Sequence, residues 1–286
     1  MLALENFFNA ARANPARVVF PEADEPRVAE AMAELAKQGL CQPLRLPQAP
    51  SEAHIAALVA ARGLKEGVAA RMLARPLYLA AAMVAAGEAD AMVAGADAPT
   101  KKVIEAAAIA IGLAEDVTTP SSFFLMVFPD GRQMIFADCA LNVDPSATEL
   151  ADIARASAAT GQALLGRADV ALLSYSTGSS GAGSSVEKVR IAAQATGFAG
   201  PIQADAALNA RVAAKKGLGD GQANVLVFPN LDAGNISYKL AQELAGAQAL
   251  GPILQGFRSP VCDLSRGATV ADIVAATVVT LALARR

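Results

Sequence analysis

An arginine and a carboxylate flank the predicted start of the last helix, in the segment DLSRGATVADIV at residues 263–274. Arg266 precedes the helix N-terminus, where a positive side chain gains nothing from the helix dipole, so we expect its guanidinium fork to hold an anion. Asp272 follows Thr269 by three residues, which approaches a capping box with Asp in place of the usual Glu or Gln. From the pattern alone, a helix cap is favoured over a catalytic base for Asp272.

A loop rich in serine and glycine, SYSTGSSGAGSSVEKVR at residues 174–190, leaves a predicted strand and enters a predicted helix. Its glycines allow backbone amides to approach a ligand closely, and a helix N-terminus attracts phosphate. It contains neither a Walker A motif nor GxGxxG. The pattern favours anion binding. The alternative is a flexible surface connection in which Ser185 caps the helix and Lys188 is solvated. The candidate ligands are Ser176, Thr177, Ser179, Gly181 and Ser184.

Two further strand-to-helix segments carry polar side chains. In VFPNLDAGNISYKL, Asp232 suits a helix cap, whereas Asn235 and its small and amide neighbours suit a loop that lines a ligand, and the pattern leaves both open. In FADCALNVDPSATELADIA, Cys139 ends a strand with no histidine to activate it, which favours a buried thiol over a nucleophile. Ser146 and Glu149 match a capping box, which explains both without a catalytic role.

A pair of lysines stands at another predicted helix start, in MVAGADAPTKKV. Thr100 is expected to cap this helix, and Lys101 and Lys102 in its first turn oppose the helix dipole. The pair indicates either a bound anion or two solvated side chains. Together with Arg75, these two lysines are loose candidates for binding a phosphate group of a larger ligand.

Composition excludes several classes of function. The 286 residues carry a net charge of −3 with no basic cluster, which argues against nucleic acid as a partner. The single histidine, His54, lies on a predicted amphipathic helix and is expected to be structural and at most half-buried, so histidine-dependent mechanisms are disfavoured. The three cysteines show no metal-binding spacing and predict reduced thiols in the cytoplasm. Neither a signal peptide nor a membrane span is predicted.

Short apolar runs alternate with alanine-rich helical stretches, which predicts an α/β fold with a mostly parallel sheet. The predicted strands are 17–21, 90–95, 122–128, 133–138, 169–174, 201–205, 224–228 and 251–255. The predicted helices are 25–38, 51–61, 76–87, 100–113, 147–164, 186–197, 232–246 and 270–284. Residues 122–138 read as an antiparallel hairpin around a Pro-Asp-Gly turn, a plausible domain junction.

Taken together, the chain resembles the short form of the phosphate acetyltransferases, also called phosphotransacetylases. The resemblance rests on VVFPEADEPRVAEA, on the segment that contains Cys139, on the Ser/Gly loop, and on the stretches DAMVAGA, ADAAL, FPNLDAGNISYKL, GPILQG and DLSRGATVADIV. It implies an isocitrate dehydrogenase-like fold of two α/β domains with a cleft between them, and a homodimer. The implied domains are 1–122 with 257–286, and an inserted domain at 123–256.

The same resemblance implies the reversible conversion of acetyl-CoA and phosphate into coenzyme A and acetyl phosphate, with no metal or redox cofactor. Asp272 would take the thiol proton, Arg266 would bind phosphate and stabilise the oxyanion, and Ser265 would hydrogen-bond the same charge. The Ser/Gly loop and Asn235 would contact phosphate and the pantetheine end of coenzyme A. The chain departs from the family pattern at Cys262, Ala98 and Ser237.

Two alternatives remain beside this activity. A phosphate butyryltransferase, or another short-chain phosphotransacylase, would share the fold and the segments. A domain that binds acetyl-CoA without catalysis would also share the fold, but such domains tend to lose parts of the Ser-Arg-Gly and Asp set, which is intact here.

Overall fold

The computed structural model describes residues 4–284, and the chain divides into two compact units. Unit 1 runs to Val117 and resumes at Leu250, and unit 2 is Thr118–Ala249. The limits predicted for the inserted domain, 123–256, lie a few residues further along the chain. Unit 2 begins earlier because the hydroxyls of Thr118 and Thr119 donate to Asp152, well inside that unit.

In unit 1 the sheet has four parallel strands and one antiparallel strand, β9, in the order β2-β1-β3-β10-β9. The strands are β1 (Ala16–Val19), β2 (Cys41–Leu44), β3 (Ala91–Ala94), β9 (Gln248–Gln255, entering from unit 2) and β10 (Val261–Asp263). The helices are α1 (Glu5–Ala13), α2 (Pro26–Lys37), α3 (Glu52–Arg62), α4 (Glu66–Leu73), α5 (Pro76–Ala85), α6 (Thr100–Ala106) and α12 (Val270–Leu283). The π-helical turn Ala107–Ile111 extends α6.

Two helices of unit 1 are apolar on nearly every side, which is typical of helices enclosed in a core. In α5, every residue from Tyr78 to Val84 is buried. In α12, every residue from Ile273 to Leu281 is buried, and the hydroxyls of Thr277 and Thr280 donate to carbonyls one turn earlier at 2.7 Å. The start of α12 is therefore carried by a helix with little freedom to move.

Unit 2 contains a sheet in the order β4-β5-β8-β6-β7. The strands are β4 (Ser121–Val127), β5 (Gln133–Ala137), β6 (Val170–Leu173), β7 (Ala199–Ile202) and β8 (Val225–Val227); the helices are α7 (Ala147–Leu165), α8 (Ser184–Thr196), α9 (Ala204–Leu208), α10 (Ala210–Lys216) and α11 (Leu231–Ala245). The β4–β5 pair is antiparallel and the other pairs are parallel, which confirms the predicted hairpin and fold class. In the core, the Phe124 and Tyr238 rings stack at 4.1 Å.

Some predicted elements differ from the structure. The strand predicted at 201–205 is wrong in its second half, because β7 ends at Ile202 and the alanine-rich residues after Gln203 form α9. The helix predicted at 100–113 changes into the π-helical turn after Ala106. Six elements of the described residues were not predicted, because they are short or lie beside stronger patterns: β2, β10, α1, α4, α9 and α10.

His54 is structural, as expected, but fully buried rather than half-buried. Its Nδ1 accepts a hydrogen bond from the backbone N of Ser51 at 3.0 Å, which completes a capping box for α3. Its Nε2 lies 2.9 Å from the Glu88 carboxylate. Within residues 4–284, no single helix has the length and apolarity to cross a bilayer, although the bent pair α4–α5 meets those criteria when taken together.

Candidate functional site

Arg266 stands on a tight turn between β10 and α12. The backbone N of Leu264 donates to Ala94 O at 2.6 Å, and the backbone N of Ala268 closes the turn on Ser265 O at 2.9 Å. The side chains of Ser265 and Arg266 are exposed. Within residues 4–284 the Arg266 guanidinium forms no hydrogen bond or ion pair. A fixed backbone with an unpaired guanidinium is an arrangement that can receive an anion.

Asp272 and Thr269 form the capping box at the start of α12, so the predicted cap is confirmed. The backbone N and the hydroxyl of Thr269 both donate to Asp272 Oδ2, at 3.0 and 2.7 Å. The structure thus brings Ser265, Arg266 and Asp272 together at one end of one helix.

Glu22 holds the turn after β3, an interaction that the sequence analysis missed. Its Oε2 accepts from the backbone N of Gly95 and Ala96 at 2.7 and 2.9 Å. Its Oε1 accepts from Asp97 and Ala98 at 3.1 and 2.6 Å. One carboxylate therefore satisfies four consecutive amides, which fixes the backbone of residues 95–98. The signal in the sequence was the acidic stretch EADEPR, which lies within one of the segments that carry the resemblance.

Asp263 ends β10 and is completely buried beneath this turn. Neither carboxylate oxygen has a well-formed hydrogen bond within the described residues. The pKa of Asp263 is raised to about 7, mainly by burial. The negative charge of Glu22 also raises this pKa, and the nearby Thr100 hydroxyl lowers it. Gly95 has φ +101°, and a Cβ there would lie 2.3 Å from Asp263 Oδ1. The turn 95–98 thus rests on a carboxyl group that can carry a proton near neutral pH.

Lys101 and Lys102 lie in the first turn of α6, as predicted, but the helix begins differently. Pro99, not Thr100, occupies the N-cap position of α6, so the predicted cap is wrong. Lys102 donates to Glu105 at 2.8 Å, and Glu105 also accepts from the Tyr78 hydroxyl at 2.7 Å. Arg75 lies over the Tyr78 ring, 5.7 Å from its centroid. Two of the three loose candidates, Arg75 and Lys102, therefore lie around one paired carboxylate.

In unit 2, the first part of the Ser/Gly loop is a network of internal hydrogen bonds. Ser176 Oγ accepts from the backbone N of Gly181 at 2.8 Å, and Ser180 Oγ accepts from the backbone N of Thr177 at 3.0 Å. Thr177 Oγ1 accepts from the backbone N of Gln203 at 3.1 Å. Ser176 and Thr177 are buried. Their hydroxyls therefore shape the loop.

The second part of the loop leads into α8 and is open to solvent. Gly183, with φ +137°, is the N-cap of α8 and provides no side chain, so the alternative in which Ser185 caps this helix is wrong. Ser179 and Ser184 are exposed. Lys188 pairs with Asp144 at 2.5 Å rather than being solvated alone. A cleft of about 410 Å³ lies beside this helix start. It is lined by Val143, Asp144, Ser184, Ser185, Lys188, Asn230 and Asp232.

The start of α11 packs on the loop after β5. Asn230 caps α11 by accepting from the backbone N of Ala233 at 2.9 Å, so the alternative in which Asp232 is the cap is wrong. Asn235 Nδ2 donates to Cys139 O at 3.1 Å. A Cβ on Gly234 would lie 2.3 Å from Asp138 O, so only glycine allows this contact. Asn235 is thus a partner of the neighbouring loop, not an isolated polar side chain.

Asp138 organises that loop, and the sequence analysis did not assign this role. Its carboxylate accepts a hydrogen bond from the Ser122 hydroxyl. It also accepts from three successive backbone amides, Ala140 to Asn142, and these three bonds are 2.9–3.1 Å long. Cys139 beside it is fully buried. Burial, with the charge of Asp138, raises the pKa of the Cys139 thiol well above its ordinary value. This supports the interpretation of a buried thiol.

Known proteins resemble this chain over most of its length. The family described as phosphate acetyl/butaryl transferase matches residues 48–281. A phosphate acetyltransferase from Paracoccus denitrificans is 39% identical, over 98% of each chain. One from Nitrosomonas europaea is 39% identical over 90% of this chain but 42% of its own length, so the chain spans about two fifths of that relative. The crystal structure of a phosphotransacetylase from Streptococcus pyogenes superposes with a TM-score of 0.90, at 33% identity and 98% coverage of each chain.

Proposed function

Because the chain belongs to the phosphate acetyl/butaryl transferase family, we propose that it transfers an acetyl group reversibly between coenzyme A and inorganic phosphate. The observation that carries the proposal is that Arg266 and Asp272 both lie at the start of α12. There, an exposed arginine without a partner in the described residues stands on the turn that leads into a helix, and an aspartate is held in that helix's first turn. Acyl transfer from a phosphate to a thiol needs a cation for the phosphate and a base for the thiol.

In the proposed reaction, Asp272 accepts the proton of the coenzyme A thiol. The thiolate attacks the carbonyl carbon of acetyl phosphate, and a carbon–sulfur bond forms. The carbon–oxygen bond to phosphate then breaks, and phosphate leaves with the bonding electron pair. Arg266 offsets the negative charge on the phosphate and the oxyanion, with a hydrogen bond from the Ser265 hydroxyl. No acyl-enzyme, metal or redox cofactor takes part.

We propose that the Ser/Gly loop of unit 2 binds an anionic part of a substrate. The exposed Ser184 is the first residue of α8, where a helix dipole favours anionic groups, and the exposed Ser179 lies in the loop that leads into this helix. The buried Ser176 and Thr177, with Gly181, hold the loop in that shape. Asn235 acts from the α11 side, where it fixes the loop after β5.

The test is phosphate-dependent release of free thiol from acetyl-CoA by the purified chain. Arg266→Ala should lower kcat/KM for phosphate by about 100-fold or more, the cost of losing one oxyanion donor. Its melting temperature should stay close to that of the wild type, because the side chain is exposed. Arg71→Ala, which removes another exposed arginine of unit 1, is the matched control and should keep full activity. An active Arg266→Ala enzyme would refute the assigned role.

The acyl group can be acetyl or a longer chain. The family description covers both acetyl and butyryl transfer. Comparing kcat/KM for acetyl-CoA and butyryl-CoA decides between them, and we propose acetyl. Binding of acetyl-CoA in a calorimeter without phosphate-dependent turnover would instead indicate a non-catalytic binding domain.

We further propose that the enzyme is a cytoplasmic homodimer. Ile236, Leu240 and Leu244 form an exposed apolar row at helical spacing on α11, between 51 and 81% accessible. Apolar rows of this kind are often covered by a second subunit. Light scattering after size exclusion should give twice the chain mass, and Leu240→Asp should shift it to the monomer.

A further inference from the structure

Arg27 joins the turn that carries Arg266 to the turn held by Glu22. Its Nη1 donates to the carbonyl oxygens of Arg266 and Ala268, both at 2.8 Å. Its Nη2 donates to Ala96 O at 3.2 Å. All three acceptors are backbone atoms of two loops that lie far apart in sequence. One planar guanidinium therefore fixes the relative position of both turns within unit 1.

The orientation of Arg27 is itself constrained. Its Nε donates to Glu25 Oε1 at 2.8 Å, and Glu25 Oε2 accepts from the backbone N of Val28 as the N-cap of α2. Pro26 occupies the first position of the helix, where its fixed φ suits the start of a helix. The guanidinium thus extends from a capped helix start with all three of its nitrogens engaged.

We propose that Arg27 is a positioning residue for the transferase reaction proposed above, acting through the backbone of the 265–268 turn. Arg27 does not need to touch substrate. Its two bonds to the carbonyls on either side of Gly267 set the direction in which the Arg266 side chain leaves the turn. Glu22 completes the arrangement from the other turn, because it fixes Ala96, whose carbonyl is the third acceptor.

Lysine cannot replace this arrangement. An ammonium on a flexible stem can reach one or two of the carbonyls, but it cannot present a planar fork to three acceptors while also binding Glu25. A displacement of about 1 Å at a reacting group can cost about 100-fold in rate. We therefore expect Arg27→Ala to lower kcat/KM for phosphate by about 10- to 100-fold, and Arg27→Lys to give an intermediate loss. The KM for acetyl-CoA should change less than about twofold, since the turn carries the phosphate ligand.

The experiment combines two readouts on the full chain. Hydrogen exchange followed by mass spectrometry reports the amides of residues 264–271, and steady-state kinetics with phosphate reports the reaction. The matched control is Arg45→Ala, which removes an exposed arginine of the same unit that pairs with Asp24 at 2.7 Å. Arg27→Lys supplies both readouts if Arg27→Ala does not fold.

Faster exchange at 264–271 together with the loss in kcat/KM for phosphate, both absent from Arg45→Ala, is the expected result. Unchanged exchange would overturn the proposal, and so would faster exchange with unchanged kinetic constants, because Arg27 would then only stabilise the fold. If the wild-type chain released no coenzyme A with phosphate, the reaction itself would be wrong. The exchange data would still decide whether Arg27 fixes the turn.

Discussion

Thr269 and Asp272 are bound to each other in both directions: Thr269 donates twice to Asp272 Oδ2, and the backbone N of Asp272 donates back to Thr269 Oγ1 at 3.2 Å. The cap therefore orients the carboxylate that we assign as the base. A side chain held by its own helix start requires little reorganisation before it accepts a proton.

Asp272→Asn should separate the cap from the base. The amide oxygen can still accept from Thr269, so the free energy of unfolding should change by less than about 1 kcal/mol. An amide cannot take the thiol proton, so kcat should fall by about 100-fold or more. Steady-state kinetics and chemical denaturation measure the two effects. The control is Glu149→Gln in the capping box of α7, which should keep full activity. Equal losses of kcat in both variants would contradict the role of base.

Asp263 should make the protein less stable as pH rises. Its raised pKa, about 7, means that between about pH 4 and pH 7 the folded state keeps a proton that the unfolded state has lost. The free energy of unfolding should therefore fall through this window by up to about 1.4 kcal/mol per pH unit. Asp263→Asn should flatten this dependence in a denaturation series, whereas Asp97→Asn, in the neighbouring turn, should not. A slope unchanged in Asp263→Asn would rule out a buried proton at this carboxyl group.

Gly95→Ala should destabilise unit 1 more than Gly39→Ala, another substitution of a glycine at positive φ. The new methyl would overlap Asp263 and lie within 2.7–2.9 Å of backbone atoms of Leu264. Positive φ alone costs a non-glycine residue about 1–2 kcal/mol, and overpacking adds about 1–3 kcal/mol. Gly39→Ala, with φ +65° and nothing within 4 Å of the added Cβ, isolates the first cost. Similar melting temperatures for the two variants would mean that the turn yields easily.

Cys139→Ala should keep turnover within about threefold of the wild type. Only the thiolate is an effective nucleophile, and burial keeps this group a thiol. The variant should lose about 1–2 kcal/mol of stability from the small cavity. Cys41→Ala, at another buried thiol, is the control. Loss of turnover, with an acyl group found on Cys139 by mass spectrometry, would indicate an acyl-enzyme route instead.

Local patterns predicted the elements well where the signal lies within a few residues. The caps of α7 and α12 were readable because each partner stands three residues away. The strand β2 was not, since it has four residues and includes Pro43, and β10 has only three. Helix starts rich in several capping residues were ambiguous, which is why Asp232 was considered as a cap although Asn230 caps α11.

In the candidate site, too, the residues with a local signal could be predicted and those with distant partners could not. An arginine before a helix start conflicts with the local field, and that conflict singled out Arg266, whose guanidinium has no partner among the described residues. That Arg266 holds an anion stays a prediction. The residues that hold its turn could not be found by spacing. Glu22 binds amides 73 to 76 residues away, and Arg27 binds a carbonyl 239 residues away. Only the folded chain brings such partners together.

The distance in sequence between Arg27 and its acceptors has a consequence for synthesis on the ribosome. Unit 2 is one continuous segment, so it can complete its own contacts while unit 1 still lacks β10 and α12. At about 5–20 residues per second, Arg27 is translated tens of seconds before the carbonyls that it binds. A nascent or truncated chain can therefore contain a folded unit 2 and still lack the ordered turn. Activity should emerge only after the last helix has left the ribosome.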